Sequence, residues 1–365
     1  MAYVRKVWED LDAVFPLRPF IKIGNNHKAV FAQAPSPTAG IPNVAALRAS
    51  VAQWDEHFAV PYPANVTAAD FKETIVAGIP SSIYKAKTTS AAAVPTILLL
   101  HGGGFFCEMP NVFKSLLAHI IARTPCNVVM PHYSLSPEYK APKAMHEATA
   151  VLKALLKEPQ KFQLSSDIIL IGCSAGGSLA WNALVTLLND PLEQKLAEKV
   201  SNLILISPWT DISLETSTRS PYQAQQDNDI FLQASALELM KNFYLAHEQS
   251  GKEPEISPLY HHPDSLKRMP KTSVIVGEID RLFADSVAAA KLINNSGVPV
   301  EFVVLEGQSH NHFSHRDLRD GVFVADIIAS IINDESYVSL KGDDGLGIVV
   351  CQPKPHQSGW KVTAS

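Results

Sequence analysis

A glycine-rich hexapeptide, GCSAGG at positions 172–177, contains the residue best placed to do chemistry, Ser174. The apolar run IILI precedes it and the helix-like segment SLAWNAL follows it. A buried strand, a tight turn and a helix form the setting in which a serine hydroxyl is exposed as a nucleophile. The alternative is a structural serine that caps the next helix. The context favours a nucleophile that attacks a carbonyl carbon and forms a covalent intermediate.

Such a nucleophile needs a base, an acid that orients the base, and donors for the oxyanion. The sequence HGGG at 101–104, directly after the apolar run TILLL, predicts the donors. Adjacent glycines let backbone N–H groups approach a negative oxygen without side chains in the way. We therefore expect the N–H groups of Gly103, Gly104 and Ala175 to form an oxyanion hole. His101 is expected to brace this loop rather than to react.

The acid is expected at the end of a later strand. Asp280 lies just beyond the apolar segment at 273–276, which predicts such a strand. Glu278 is nearer to the strand, and Asp285 begins the next predicted helix. An acid at a helix N-terminus has a separate explanation, because it complements the helix dipole. Asp280 is therefore the predicted catalytic acid.

The base is expected to be a histidine after one more strand, which the segment at 300–304 predicts. His310 follows that strand, and His312 and His315 are close enough to be rivals. Position rather than residue type favours His310, since the chain has 13 histidines and most histidines are solvated or structural. The order serine, aspartate, histidine along the chain is that of α/β-hydrolases.

Composition excludes several classes of function. The chain has 365 residues, of which 46% are apolar and 18% charged, so a substantial core is expected. The net charge of −5 and the lack of a basic cluster argue against nucleic acid as a partner. The apolar run at 94–100 is too short to cross a bilayer, and the N-terminus does not resemble a secretory signal. Four cysteines without metal-ligand spacing predict a reduced, cytoplasmic protein without a disulfide framework.

Apolar strands alternate with amphipathic helices along most of the chain, which predicts an α/β fold with a mostly parallel sheet covered on both faces. Apolar residues at helical spacing predict a helix over 4–15. Two strands, 71–76 and 82–87, are predicted to form a hairpin around the turn at 78–80. The predicted divisions are the N-terminal part of a helical cap at 1–70, a catalytic domain at 71–333 with a cap insertion at about 212–256, and a C-terminal tail of unassigned role at 334–365.

From about residue 71 to 332, the sequence resembles the hormone-sensitive-lipase-like esterases of the α/β-hydrolase fold. The resemblance rests on the segments HGGGF at 101–105, YSLSPE at 133–138, GCSAGG at 172–177, SPWTD at 207–211, SPL at 257–259, DRL at 280–282 and GQSH at 307–310. It implies a carboxylic ester hydrolase without a cofactor, with a cap made from N-terminal helices and the insertion after Asp211. It also implies a tendency to form homodimers.

Three positions depart from the family pattern. Cys173 stands where the family commonly has an acidic residue, which is expected to affect the pocket rather than the triad. Ser134 replaces the usual arginine after Tyr133. Asn311 and His312 separate His310 from the phenylalanine that usually follows after one glycine, which leaves His312 as a rival base.

The sequence therefore predicts a serine ester hydrolase for a small or medium, apolar ester. Aromatic and aliphatic candidates for its pocket, which fit core packing equally well, are Phe105, Phe106, Phe231, Leu232 and Phe243. One alternative is acyl transfer or cyclisation to a lactone with the same triad, because the residues do not specify the acceptor. Another is a ligand-binding receptor on a former hydrolase scaffold, which the presence of all three triad candidates disfavours.

Overall fold

The computed structural model describes residues 4–7, 43–59, 61–87, 94–229, 231–305, 308–310, 313, 320–334, 348–351 and 363–364. Its strands are β1 (Val4–Val7), β2 (Lys72–Val76), β3 (Ile79–Tyr84), β4 (Thr96–Leu100), β5 (Asn127–Pro131), β6 (Ile168–Cys173), β7 (Val200–Ile206), β8 (Lys271–Gly277), β9 (Val300–Leu305), β10 (Ile348–Cys351) and β11 (Thr363–Ala364). Within these ranges all the strands belong to one sheet, in the order β11-β1-β10-β9-β8-β7-β6-β4-β5-β3-β2.

The centre of the sheet is parallel, as the sequence predicts. Strands β5, β4, β6, β7, β8 and β9 are joined by parallel pairing, whereas β2 and β3 extend one edge in antiparallel fashion. The carboxyl ends of parallel strands meet at one edge of a sheet, where ligands bind in open α/β folds. Strands β6, β8 and β9 therefore deliver the segments that follow them to a common edge.

The central strands are buried on both faces. In β4, Leu98 and Leu100 belong to one apolar cluster, and Ile97 and Leu99 belong to another. Alternate side chains of a strand point to opposite faces, so the two clusters are the two cores on either side of the sheet. Burying each such side chain contributes about 1.5–3 kcal/mol. This explains why the strands are continuous apolar runs.

Helices cover both faces. They are α1 (Val44–Phe58), α2 (Pro110–Ile121), α3 (Lys143–Lys157), α4 (Ala175–Leu188), α5 (Gln194–Ala197), α6 (Glu215–Thr218), α7 (Gln223–Gln226), α8 (Ala234–Tyr244), α9 (Phe283–Asn295) and α10 (Asp320–Ile332). Buried residues of α3, α4 and α9 join the first core, and those of α2 and α10 join the second. The α/β fold with helices on both sides of the sheet is thus confirmed. Among the described residues, no helix is both long enough and apolar enough to cross a bilayer.

The hairpin at the antiparallel edge forms, but its turn differs from the prediction. Val76 pairs with Ile79, so the turn consists of Ala77 and Gly78, which have φ of 53° and 83°. Two residues with positive φ are typical of the tight turns that match the twist of a hairpin. Pro80 was predicted to lie in the turn, but it belongs to β3, where its carbonyl accepts the His132 N–H at 2.8 Å.

The N-terminus also corrects a prediction. Val4–Val7 is a strand rather than the first turn of a helix, and it pairs in parallel with Ile348–Cys351. Residues 8–15 of the predicted helix lie outside the described residues. The helical spacing was misleading because a valine-rich segment satisfies its backbone equally well beside another apolar strand. The first seventy residues and the tail therefore both contribute to the sheet.

Candidate active site

Ser174 lies between the end of β6 and the first residue of α4, in the tight turn that the sequence predicts. Its backbone has φ 51° and ψ −121°, a region that residues with side chains rarely occupy. Such strain costs about 1–3 kcal/mol and persists only where surrounding contacts hold it. Here the Ser174 N–H donates to the Ile206 carbonyl at 2.9 Å. The Ser174 carbonyl accepts the N–H groups of Gly177 and Trp209 at 2.9 and 3.0 Å.

Small residues around the turn let the helix approach the sheet. A Cβ atom on Gly176 would lie 2.1 Å from the Leu100 carbonyl oxygen, so only glycine fits there. Cys173, which was expected to affect the pocket, is fully buried in the apolar core that also contains Ile171 and Ile206. Burial raises the pKa of its thiol. Cys173 therefore packs as a neutral core residue.

The predicted serine, histidine and aspartate come together. His310 Nε2 lies 3.0 Å from Ser174 Oγ, and His310 Nδ1 lies 3.0 and 3.2 Å from the two carboxylate oxygens of Asp280. The three residues are 5%, 2% and 0% exposed. A carboxylate accepts only, so Nδ1 carries a proton and leaves Nε2 free to accept the serine proton. This tautomer is the one that a general base requires.

The charges of the pair reinforce each other. Burial lowers the pKa of His310, but the charge of Asp280, the hydrogen bond to it and the charge of Asp229 outweigh burial, so the pKa is raised above its ordinary value of 6.5. Burial raises the pKa of Asp280. The charge of His310 and its hydrogen bond to Asp280 outweigh burial, so this pKa lies below its ordinary value. Asp280 therefore stays ionised wherever the imidazole is neutral.

The rival acid Asp285 has a structural task. Its Oδ1 accepts the N–H groups of Thr210 and Asp211 at 3.0 and 2.9 Å. Burial and the charge of Asp211 raise the pKa of Asp285 well above its usual range. Glu278 is buried one residue beyond β8. The rival bases His312 and His315 lie outside the described residues.

The loop at 101–104 adjoins the serine, as predicted. A Cβ atom on Gly102 would lie 3.1 Å from Ser174 Cβ. The carbonyl of Gly103 accepts the N–H groups of Phe106 and Cys107 at 3.0 and 3.1 Å, which fixes the turn. Within the described ranges, no hydrogen bond occupies the N–H groups of Gly103, Gly104 or Ala175. These three donors are therefore available to a ligand beside the serine.

His101 braces this loop. Its Nδ1 donates to the Gly102 carbonyl at 2.7 Å, and its ring stacks on that of Tyr133 with centroids 4.2 Å apart. The Tyr133 hydroxyl donates to the His101 carbonyl at 2.7 Å. His101 is 2% exposed, and burial lowers the pKa of its imidazole. This agrees with the predicted bracing role.

Arg48 fastens helix α1 beside the loop at 101–104, which we call the oxyanion loop. Sequence reasoning missed this residue. Arg48 donates to the carbonyls of Phe106 and Ser136, both at 2.7 Å, and forms a bidentate pair with Glu138 at 2.8 and 2.7 Å. The only sequence signal for this contact was the position of Glu138 in the YSLSPE segment. Nothing along the chain indicated that its partner lay far upstream.

Apolar residues from the insertion between β7 and β8 approach the site. A Cβ atom on Gly104, where φ is 59°, would lie 2.1 Å from Met240 Sδ. The ring of Phe231 lies 6.1 Å from that of His310 and 5.5 Å from that of Trp54. In contrast, Phe105 is fully buried against Tyr244, with stacked rings 3.8 Å apart, and so belongs to the core.

Among the described residues, no three or more histidine, cysteine, aspartate or glutamate side chains are grouped so that they could hold a metal ion. Cys107, Cys126 and Cys173 are buried free thiols.

The chain is similar to known proteins in both sequence and structure. The alpha/beta hydrolase fold family matches residues 97–314. An esterase of Acinetobacter venetianus is 31% identical over 250 residues, which cover 68% of this chain and 77% of that protein. A crystallised esterase of Pyrobaculum calidifontis has a TM-score of 0.72 at 21% identity, covering 87% of this chain and 99% of that one. A solved esterase of the bacterial hormone-sensitive lipase family has a TM-score of 0.68 at 22% identity, covering 85% and 96%.

The two solved structures share the fold at low identity, whereas the family match and the Acinetobacter relative establish kinship. The family match and the Acinetobacter relative confirm the predicted fold and the predicted class of enzyme, an ester hydrolase. The chain belongs to the alpha/beta hydrolase fold family.

Proposed function

We propose that the chain hydrolyses carboxylic esters through an acyl-enzyme on Ser174, with His310 as general base and Asp280 as the acid that orients it. The observation that carries this assignment is the continuous contact from Ser174 Oγ to His310 Nε2 at 3.0 Å and from His310 Nδ1 to Asp280 at 3.0 Å. A hydroxyl is a weak nucleophile at its ordinary pKa, so an adjacent base is required.

In the acylation step, Ser174 Oγ attacks the ester carbonyl carbon while His310 Nε2 takes the hydroxyl proton. Asp280 stabilises the imidazolium that forms. The carbonyl oxygen becomes an oxyanion and accepts hydrogen bonds from the backbone at Gly103, Gly104 and Ala175. A single donor of this kind contributes about 100- to 1,000-fold to kcat. The imidazolium then protonates the departing alcohol, and water attacks the acyl-enzyme by the same steps in reverse.

We propose a small or medium apolar ester as substrate. Met240 packs against Gly104 of the loop at 101–104, and the Phe231 ring lies 6.1 Å from that of His310, so two uncharged side chains lie beside the proposed oxyanion donors and base. The buried serine, at 5% exposure, favours a substrate that can be desolvated at low cost.

We also propose that α1 and the insertion together form a cap. Val44, Leu47 and Val51 of α1 share one apolar cluster with Leu239, Met240 and Phe243 of α8 and with Phe106 beside the oxyanion loop. Contact of both segments with Phe106 supports a cap to which α1, from the predicted segment 1–70, and the insertion at about 212–256 contribute, whereas β1 belongs to the sheet. Homodimerisation and a cytoplasmic location remain predictions.

Turnover in ¹⁸O-labelled water tests hydrolysis against transfer. The enzyme is incubated with a panel of nitrophenyl esters of increasing acyl length, together with aryl esters and lactones. The mass of the acid product is then measured by mass spectrometry. We expect one labelled oxygen in the acid, because water attacks the acyl carbonyl. A product without label, accompanied by a new ester or a lactone, would mean that an alcohol is the acceptor.

We expect kcat/KM to fall as the pH is lowered through the pKa of His310. Protonated imidazole cannot accept the serine proton, so activity decreases about tenfold per pH unit below that pKa. Because the pKa of His310 is raised, the fall begins above pH 6.5. Samples returned to pH 8 should recover full activity. A profile flat down to pH about 4 would exclude a histidine base.

A further inference from the structure

A second buried carboxylate lies beside the triad and plays no part in the steps above. Asp229, in the insertion between β7 and β8, is 1% exposed. Its Oδ1 accepts the N–H groups of Phe231 and Leu232 at 2.9 and 3.1 Å. Its Oδ2 accepts the N–H groups of Arg281 and His310 at 2.7 and 3.3 Å. Four N–H donors satisfy both oxygens, which is the arrangement that an ionised carboxylate requires.

The two bonds of Oδ2 connect the loops that carry the triad. Arg281 directly follows Asp280 in the loop after β8, whereas His310 lies in the segment after β9. One oxygen atom therefore holds the backbone next to the acid and the backbone of the base at a fixed spacing. Since a displacement of about 1 Å can cost 100-fold in rate, this spacing matters to catalysis.

We propose that Asp229 is a positioning residue that sets the register of Asp280 and His310 and adds negative charge beside the imidazole. The inference rests on the proposed function. It also makes the insertion part of the catalytic framework, because the other two bonds of Asp229 fix residues 231 and 232, and the Phe231 ring lies 6.1 Å from His310.

Within the described part of the chain, the charges that act on His310 come from Asp280 and Asp229. Asp280 and Asp229 face His310, while the guanidinium of Arg281 is turned to Asp227, at 2.8 Å, and to the Leu232 carbonyl, at 3.4 Å. Burial and the charge of Asp280 raise the pKa of Asp229 to about 6, so it is ionised at pH 8. Its charge is one of the causes that raise the pKa of His310. Removing that charge should therefore lower the pKa of His310.

Asp229→Asn tests the proposal. The amide keeps one acceptor oxygen but turns an NH₂ group toward two N–H donors, so two bonds are lost. We expect kcat per active site to fall at least about tenfold with KM within about twofold, and the acid limb of kcat/KM to move to lower pH. Active sites are counted by fluorophosphonate titration, so loss of folded protein does not imitate loss of rate.

Asp227→Asn is the matched control. It is the same substitution two residues away, on a largely exposed carboxylate that accepts from the side chains of Arg281 and Gln223. We expect its kcat and its acid limb to match those of the parent. If Asp229→Asn also keeps the parent kcat and the parent acid limb, Asp229 is not a positioning residue.

Asp229→Glu provides a second variant should the asparagine variant not fold. Glutamate keeps the charge but displaces it by one methylene, so we expect lower kcat with the acid limb of the parent. Parent kcat in this variant would contradict the positioning role. A parent enzyme that neither cleaves esters nor reacts with fluorophosphonate would instead refute the proposed function, which keeps the two failures distinct.

Discussion

Ser174→Ala should lower kcat for a nitrophenyl ester by about a million-fold, the loss typical of removing the nucleophile from a serine triad. The substitution removes only Oγ from a 5% exposed side chain, so the fold should be unchanged. His310 and the backbone donors remain, but no oxygen is left 3.0 Å from Nε2 to attack the carbonyl. Initial rates at saturating ester concentration measure the effect.

Ser201→Ala is the matched control. Ser201 is an exposed serine at the start of β7, whose hydroxyl donates to the Ile168 carbonyl at 3.3 Å. We expect this variant to retain kcat within about twofold, as exposed substitutions usually cost little. Parent-like turnover by Ser174→Ala would show that another residue is the nucleophile.

His310→Ala should be nearly as damaging, with kcat again reduced by about a million-fold. Without Nε2 the serine hydroxyl has no proton acceptor, and Asp280 becomes a buried charge without its partner. The latter change also predicts a lower thermal midpoint, since leaving a buried acceptor without its donor costs about 1–3 kcal/mol. Activity per folded protein, with the folded fraction measured by circular dichroism, separates the kinetic loss from the loss of stability.

His312→Ala distinguishes the two candidate bases. We expect this variant to retain activity within about tenfold, because His310 supplies the contact with Ser174 Oγ. The opposite pattern, an inactive His312→Ala beside an active His310→Ala, would transfer the role of base to His312.

The central fold could be predicted because its strands are continuous apolar runs. Segments such as Ile168–Cys173 cannot be solvated on either face, so their sequence alone indicates two-sided burial. The hairpin turn was harder, since Pro80 suggested a turn while Ala77 and Gly78 supplied the positive φ values. Val4–Val7 was misassigned because pairing with a distant strand, Ile348–Cys351, decides its conformation.

The chemical groups of the site could be predicted because each follows a strand of the parallel centre. Chain order and strand ends brought Ser174, Asp280 and His310 to one edge without any knowledge of distances. The residues that fasten the surrounding loops could not be predicted. Arg48 and Asp229 act on backbone groups that lie far from them along the chain, and such contacts leave no local pattern.

Covalent labelling with a fluorophosphonate tests most directly whether Ser174 is the nucleophile. The mass of the intact protein is measured before and after labelling, and the modified peptide is identified by tandem mass spectrometry. We expect one adduct per chain, on Ser174, and none on Ser174→Ala. An adduct on a different residue, or a parent enzyme that remains unlabelled while it cleaves esters, would contradict the assignment.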